Sequence, residues 1–256
     1  MGIVSNTSVD DEVLQELGAF EEARRFIDEH GAGLIDSIAL RSEAMAKKFS
    51  ERPAVFFEGQ QLSWEELNTY ANRFAHAMQE CGVESGHVVA LMMENRVEFL
   101  ACFIAISKLG AICSLINTNL VGEGLGHSCS VSNVRWLVFG EELDNVVAGC
   151  RNMPDVRAVD FFRVDDLRKE SCPDWATDLS ERANKASCEN PHCEPLAPRS
   201  LIFYIFTSGT TGLPKAVKIT NRRYLGGAIA GWKMSLRSCE TDRQYMALPL
   251  YHGVGI

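Results

Sequence analysis

Two rhythms of apolar residues alternate through the middle of the chain. "HVVALMM", "AICSLI" and "VRWLVFG" are short, mostly apolar runs without alternation, and between them lie longer stretches with apolar positions recurring every three or four residues. Such a run is what a strand covered on both faces produces, and the longer period is that of a helix. The pattern predicts three neighbouring parallel strands over 88–92, 111–116 and 135–139. The mostly apolar helix "RVEFLACFIAISKLG", closed by Gly110, and a short helix near 123–131 connect them. The fold class is therefore α/β, with mostly parallel sheets flanked by helices.

Helix signals sharpen this outline. In "LSWEELNTYANRFAHAMQECG", Ser63 and Glu66 stand at capping-box spacing, Leu67, Tyr70, Ala71, Phe74, Ala77 and Met78 form a stripe, and Gly82 ends it. Helical spacing also marks 8–30, through Leu14, Leu17, Phe20 and Phe26, and a second amphipathic segment over 34–49. A further strand is expected from about 156. Residues 166–200 then turn charged and proline-punctuated, as a surface excursion with a short helix would. "LIFYIF" returns the chain to the core, "VKI" reads as another strand, and a helix follows, capped at Thr220 or Asn221 with Arg222 and Arg223 in its first turn. "QYMALPL" reads as a last strand, ending in "YHGVG". These expectations divide the chain into a helical segment, 1–52, and an α/β portion, 53–256.

Composition narrows the function. A chain of 256 residues that is 46% hydrophobic can bury a core and is not a disordered one. A net charge of -9 opposes a broad grip on nucleic acid. The start has no basic region followed by an apolar one, and Lys108 interrupts the longest apolar candidate, "VEFLACFIAISKLG". The expectation is a cytoplasmic chain, with a peripheral place at a membrane left open. Nine cysteines, mostly inside apolar runs, suit buried thiols in a reducing compartment. Cys172, Cys188, His192 and Cys193 lack the paired spacing of a structural zinc site, so no metal ligands are expected there.

The chemistry concentrates in "YIFTSGTTGLPKAVKIT", which begins at Tyr204. Thr207, Ser208, Thr210 and Thr211 offer hydroxyls, and Gly209 and Gly212 let backbone amides turn inward. Lys215 adds a point charge. A concave donor surface at a strand end is where open α/β sheets hold ligands. The spacing is not G-x-x-x-x-G-K-[ST], and G-x-G-x-x-G is absent, so neither a Walker loop nor a dinucleotide fingerprint is present. A Gly/Thr-rich surface turn is the plainer alternative. Arg223 is a further candidate for meeting an anion, and His252 for a ligand-facing turn.

In the order of its residues, this stretch resembles the phosphate-binding signature of adenylate-forming enzymes, the superfamily of acyl-CoA synthetases, luciferases and nonribosomal adenylation domains. "LPLYHGVG" resembles the aromatic-histidine motif on the acyl side. "MENRVEFLACFIAISKLGAICSLINTNL" and "GHSCSVSNVRWLVFG" are similar to the long-chain and very-long-chain fatty-acyl-CoA synthetase branch, also called fatty acid transport proteins. Val121 stands where that branch usually has Arg. The resemblance spans 54–256. It implies that Thr207, Ser208, Gly209, Thr210, Thr211 and Gly212 wrap the β- and γ-phosphates of ATP, and that Lys215 neutralises departing pyrophosphate. Lys215, Thr210 and His252 would be the catalytic candidates, with Tyr251 and His252 beside the acyl group. The implied partners are a fatty acid or other carboxylic acid, ATP and coenzyme A, with Mg2+ held by an acidic residue beyond 256. The implied function is an ATP-dependent fatty-acyl-CoA ligase. The alternatives are a ligase for a carnitine-type or bile-type acid, or a non-catalytic binding domain. Family members are much longer, so the resemblance also implies an N-terminal portion, without the C-terminal domain and inactive alone.

Overall fold

The computed structural model describes residues 36–166, 170–207, 212–231, 236–253 and 255. The helix expected over 8–30 lies outside them. The chain divides into two compact units. The larger comprises Asp36–Pro195, Leu201–Ile219 and Met246–Ile256.

The larger unit opens with helix α1, Ile38–Lys48, where Ser37 accepts the Leu40 N–H as N-cap and Lys47 and Lys48 complement the dipole at the other end. A hairpin follows, β1 (Pro53–Phe57) paired antiparallel with β2 (Gln60–Ser63). Its turn residues Glu58 and Gly59 both have positive φ, 46° and 81°. That combination matches the right-handed twist of the flanking strands. Helix α2, Trp64–Glu80, begins at the expected capping box: the Ser63 hydroxyl accepts from the Glu66 N–H, and the Glu66 carboxylate accepts from the Ser63 N–H. Its stripe buries Leu67, Ala71, Phe74, Ala77 and Met78.

Among the described residues the main sheet has seven strands, β3 (Val88–Met92), β4 (Ile112–Leu115), β5 (Trp136–Gly140), β6 (Asp160–Val164), β7 (Thr177–Asp178), β8 (Leu201–Thr207) and β9 (Lys215–Thr220), in the order β7-β6-β5-β3-β4-β8-β9. At its centre β3 (Val88–Met92) pairs in parallel with β4 (Ile112–Leu115) on one side and with β5 (Trp136–Gly140) on the other. The three runs singled out in the sequence are therefore neighbours as expected, and β5 is buried along its whole length. Helix α3, Val97–Lys108, connects β3 to β4, and α4, Gly122–Val131, connects β4 to β5. Helix α5, Asp144–Cys150, leads towards β6, Asp160–Val164, which is parallel to β5. The strand expected from 156 starts later, because Pro154 opens a 3-10 turn, Pro154–Val156.

The 166–200 excursion contributes β7, Thr177–Asp178, at the sheet edge, and helix α6, Leu179–Lys185. Beyond α6, the Asn190 side-chain oxygen accepts from Asn68 Nδ2 (2.9 Å), Asn72 Nδ2 (3.0 Å) and Lys108 Nζ (3.3 Å). Lys108 Nζ, on a fully buried side chain, also reaches Glu43 Oε1 at 2.6 Å. This polar knot holds the excursion's return path against α1, α2 and α3. All nine cysteines are free thiols. Among the described residues no group of three His, Cys, Asp or Glu side chains is placed to hold a metal ion. Among the same residues no helix is long and apolar enough to cross a membrane.

Strand β8, Leu201–Thr207, pairs in parallel with β4, and β9, Lys215–Thr220, lies next to it. The segment "QYMALPL" is not a strand. Residues 242–247 have no regular structure, and Tyr245 is 93% exposed. An extended run needs a partner for its backbone, and here side-chain groups of Asn95 take the Leu248 carbonyl and the Leu250 N–H instead.

The smaller unit, as described, contains helix α7, Asn221–Ala230. Thr220 is its N-cap and accepts from the Arg223 N–H. The Asn221 and Arg222 N–H groups donate to the carbonyls of Ser200 and Pro198. Three of the orphan donors at the helix start are thereby satisfied.

Candidate active site

Parallel pairing brings the carboxyl ends of β3, β4 and β8 to one edge of the sheet. Thr207, exposed, is the last residue of β8, and Lys215, exposed, is the first of β9 on the neighbouring line of the sheet. The chain between them spans 208–214. Gly212 within it has φ 89°, a conformation that a side chain would strain. Ser208, Gly209, Thr210 and Thr211 lie outside the described residues.

The Tyr251–His252 motif reaches the same edge through a compact turn. The His252 N–H donates to the Pro249 carbonyl (3.0 Å), and the Gly255 N–H to the His252 carbonyl (2.7 Å). A Cβ on Gly255 would collide with the Pro249 carbonyl oxygen, so this turn closes only with glycine. A Cβ on Gly253 would come within 3.0 Å of Ile205 Cδ1, which places the turn against β8 two residues before Thr207. Tyr251 is half-buried and His252 exposed. Thr207 thus closes β8, Lys215 opens the neighbouring β9, and the turn that carries Tyr251 and His252 passes Ile205 of β8. Arg223 is exposed in the first turn of α7, in the smaller unit.

Two residues not singled out in the sequence organise this edge. Asn95, three residues past β3, accepts the Leu250 N–H at 2.8 Å and donates to the Leu248 carbonyl at 2.9 Å. It stands in for a pairing strand and holds the start of the Tyr251 turn. His127, on α4, bonds through Nε2 to the Pro214 carbonyl at 3.1 Å. Neither carries a local sequence signal, since their partners lie 153 and 87 positions away.

Beside them the ends of β3, β5 and β6 are joined by charge. Arg163, on β6, has no exposed side-chain surface. Its guanidinium meets Asp144 (3.0 Å), Asp165 (2.8 Å) and Glu141 (3.3 Å). Arg96 donates to the carbonyls of Val164 (3.1 Å) and Asp165 (2.9 Å) and pairs with Asp166 (3.1 Å). Burial and the nearby Asp178 hold the Asp165 carboxyl above the usual carboxylate range despite the opposing pull of Arg163. A cavity of about 340 Å³ opens next to Arg96, lined also by Tyr70, Glu98 and Asp165. The Tyr70 hydroxyl donates to Glu98 (3.2 Å), and burial, reinforced by that carboxylate, pushes the phenol well above its ordinary range. The network ties the ends of β3, β5 and β6 together through side-chain contacts.

Residues 42–256 match the model of the AMP-binding enzyme family, and the chain belongs to that family. It is 33% identical over 216 residues to the medium/long-chain-fatty-acid–CoA ligase FadD6 of Mycobacterium tuberculosis, covering 84% of this chain and 34% of that one. It is 34% identical over 218 residues to long-chain fatty acid transport protein 1 of Bos taurus, covering 83% and 33%. The chain thus spans about a third of the length of the curated relatives it matches. Among solved structures, the inhibitor-bound N-terminal domain of FACL13 from Mycobacterium tuberculosis superposes with a TM-score of 0.69 at 26% identity. That match covers 84% of this chain and 52% of that one. The anthranilate CoA ligase AuaEII, in complex with anthranoyl-AMP, shares the fold with a TM-score of 0.77 at 19% identity, covering 86% and 42%.

Proposed function

We propose that this chain supplies the ATP-phosphate loop and one wall of the acyl site of an ATP-dependent fatty-acyl-CoA ligase. The observation that carries the reading is the edge at the end of β8. There a Gly/Ser/Thr segment leaves Thr207 and returns at Lys215, with the Tyr251–His252 turn packed against the same strand. The names of the fatty-acid ligase and transport-protein relatives support the acyl class.

In the first half-reaction a carboxylate oxygen of the acid attacks the α-phosphorus of ATP. The bond to the bridging oxygen breaks, and pyrophosphate leaves with that electron pair. In the second half-reaction the thiol of coenzyme A loses its proton and attacks the acyl carbon, and AMP leaves. Thr207, Ser208, Gly209, Thr210, Thr211 and Gly212 would hold the β- and γ-phosphates, and the Lys215 ammonium would meet the charge that grows on them. Tyr251 and His252 would border the acyl group. Magnesium, when bound, offsets phosphate charge, and no described residue of this chain is assigned to it.

Lys215→Ala, made in the full-length protein, tests the reading. Loss of one preorganised charge contact aimed at the transition state costs about 3 kcal/mol, roughly a hundredfold in rate. Acyl-adenylate formation from ATP and a long-chain fatty acid is expected to slow by that factor. Thioester formation from preformed acyl-adenylate and coenzyme A, which releases no pyrophosphate, is expected to hold its rate. Equal slowing of both halves would place Lys215 in the fold and not at the phosphates. A panel of other carboxylic acids, turned over faster than palmitate, would move the acyl class.

A further inference from the structure

We infer that His127 is a positioning residue for Lys215, acting through the peptide bond between Pro214 and Lys215; its catalytic meaning rests on the function proposed above. The contact spans 87 positions of sequence and joins a helix on one connection of the sheet to the foot of the β8–β9 loop. A carbonyl oxygen only accepts, so His127 Nε2 carries the hydrogen. Proline has no N–H and its ring fixes φ, which leaves the carbonyl as the free variable at this foot. The peptide unit is planar from one Cα to the next. Holding the Pro214 oxygen therefore fixes the plane that carries the Lys215 nitrogen and Cα, and with them the direction in which the lysine leaves the backbone.

The imidazole is well placed to act as an anchor. His127 is half-buried on α4, between residues committed to the interior: Leu125 and Cys129 belong to the apolar core, and the buried Ser128 hydroxyl donates to the Gly124 carbonyl. The opposite foot of the loop belongs to β8, which is locked by its parallel ladder to β4. Lys215 itself is exposed, so burial does not orient it. Among the described residues, the other constraint on the plane of the Pro214 peptide is the strand that begins one residue later.

Amide exchange read by mass spectrometry on the full-length protein tests this whether or not the acyl chemistry is correct. His127→Leu keeps bulk and removes the donor, and His127→Gln keeps an N–H at similar reach. A hydrogen bond of this kind contributes roughly 1 kcal/mol, so the peptide covering 212–220 is expected to exchange about fivefold faster in His127→Leu. Exchange in β3 should stay unchanged as the internal control for folding. His127→Gln is expected to stay within about twofold of the unaltered protein. Acyl-adenylate formation should fall in His127→Leu and recover in His127→Gln, with thioester formation from preformed acyl-adenylate constant. Equal exchange of the 212–220 peptide in His127→Leu and the unaltered protein overturns the inference, as does a His127→Gln protein that exchanges as fast as His127→Leu. If the unaltered protein adenylates no carboxylic acid, the proposed function falls, and the exchange result still decides whether His127 holds the Lys215 backbone.

Discussion

At the scale of single residues, buried charge is accompanied by opposite charge. Arg163 has no exposed side-chain surface, and Glu141, Asp144 and Asp165 surround it. Arg163→Met would fill much of the same volume and leave those carboxylates facing one another without a cation. Breaking a buried pair from one side costs about 3–5 kcal/mol, so urea denaturation should show a midpoint shift of that worth. The thiols give a second test. Burial pushes Cys129 up to about 12, and Cys172 and Cys193 up to about 11, the last with help from Glu43. The thiolate is the reactive form, and at pH 8 a group titrating near 11 is about a thousandth ionised. Iodoacetamide at pH 8 should therefore label the exposed Cys188 and Cys239 first, and raising the pH towards 10 should bring in Cys172 and Cys193. Peptide mapping reads the order, and early labelling of Cys102 or Cys113 would contradict the burial assigned to them.

At the scale of elements, legibility followed local chemistry. The capping box at Ser63 and Glu66 was plain in the sequence because both hydrogen bonds depend on residues three apart. Ser63→Ala should cost about 1 kcal/mol, which thermal unfolding would register as a drop of a few degrees. The β1–β2 hairpin was not legible. Its turn is Glu-Gly, and Glu58 adopts a positive φ that Asn or Asp would announce and glutamate does not. Glu58→Asn is accordingly expected to stabilise the hairpin slightly. The supposed strand "QYMALPL" failed for the opposite reason. Its apolar residues suggested burial, but no local pattern says whether a neighbouring strand exists, and the backbone at 248–250 bonds to Asn95 instead.

At the scale of the whole molecule, the parallel centre of the sheet was readable because doubly covered strands are mostly apolar without alternation, and the runs at β3, β4 and β5 are, with Ser114 of β4 the one polar member, bonded to Ser132. Of the candidate site, Thr207, Gly212, Lys215, Tyr251 and His252 announced themselves by type and order, as the proposed phosphate and acyl contacts. Asn95 and His127 did not, because their partners lie 153 and 87 positions away and no local spacing encodes such pairs. The same architecture sets the hierarchy of stability. Global opening is required to expose β3 and β5, whereas β7 has two residues and sits at an edge. Hydrogen exchange is expected to be slowest at Ala90, Leu91, Leu137 and Val138 and to report the full unfolding free energy there. Faster exchange at these positions than in α6 would place the core elsewhere.

The polar knot at Asn190 has a consequence for which substitutions the protein can accept. A single amide oxygen serves two asparagines and a buried ammonium, so the segment from Cys188 to Cys193 should tolerate replacement at its other exposed positions and resist it at this one. In a saturation library scored by abundance, Asn190→Asp is expected to survive best, since a carboxylate accepts from all three donors and adds attraction to Lys108. Asn190→Ser should be depleted, and Asn190→Leu, which strands an ammonium with one remaining partner, should be nearly absent. Charge-removing changes at Lys108 would then relax the rule, and Asn190→Leu should reappear only in chains that also carry Lys108→Met.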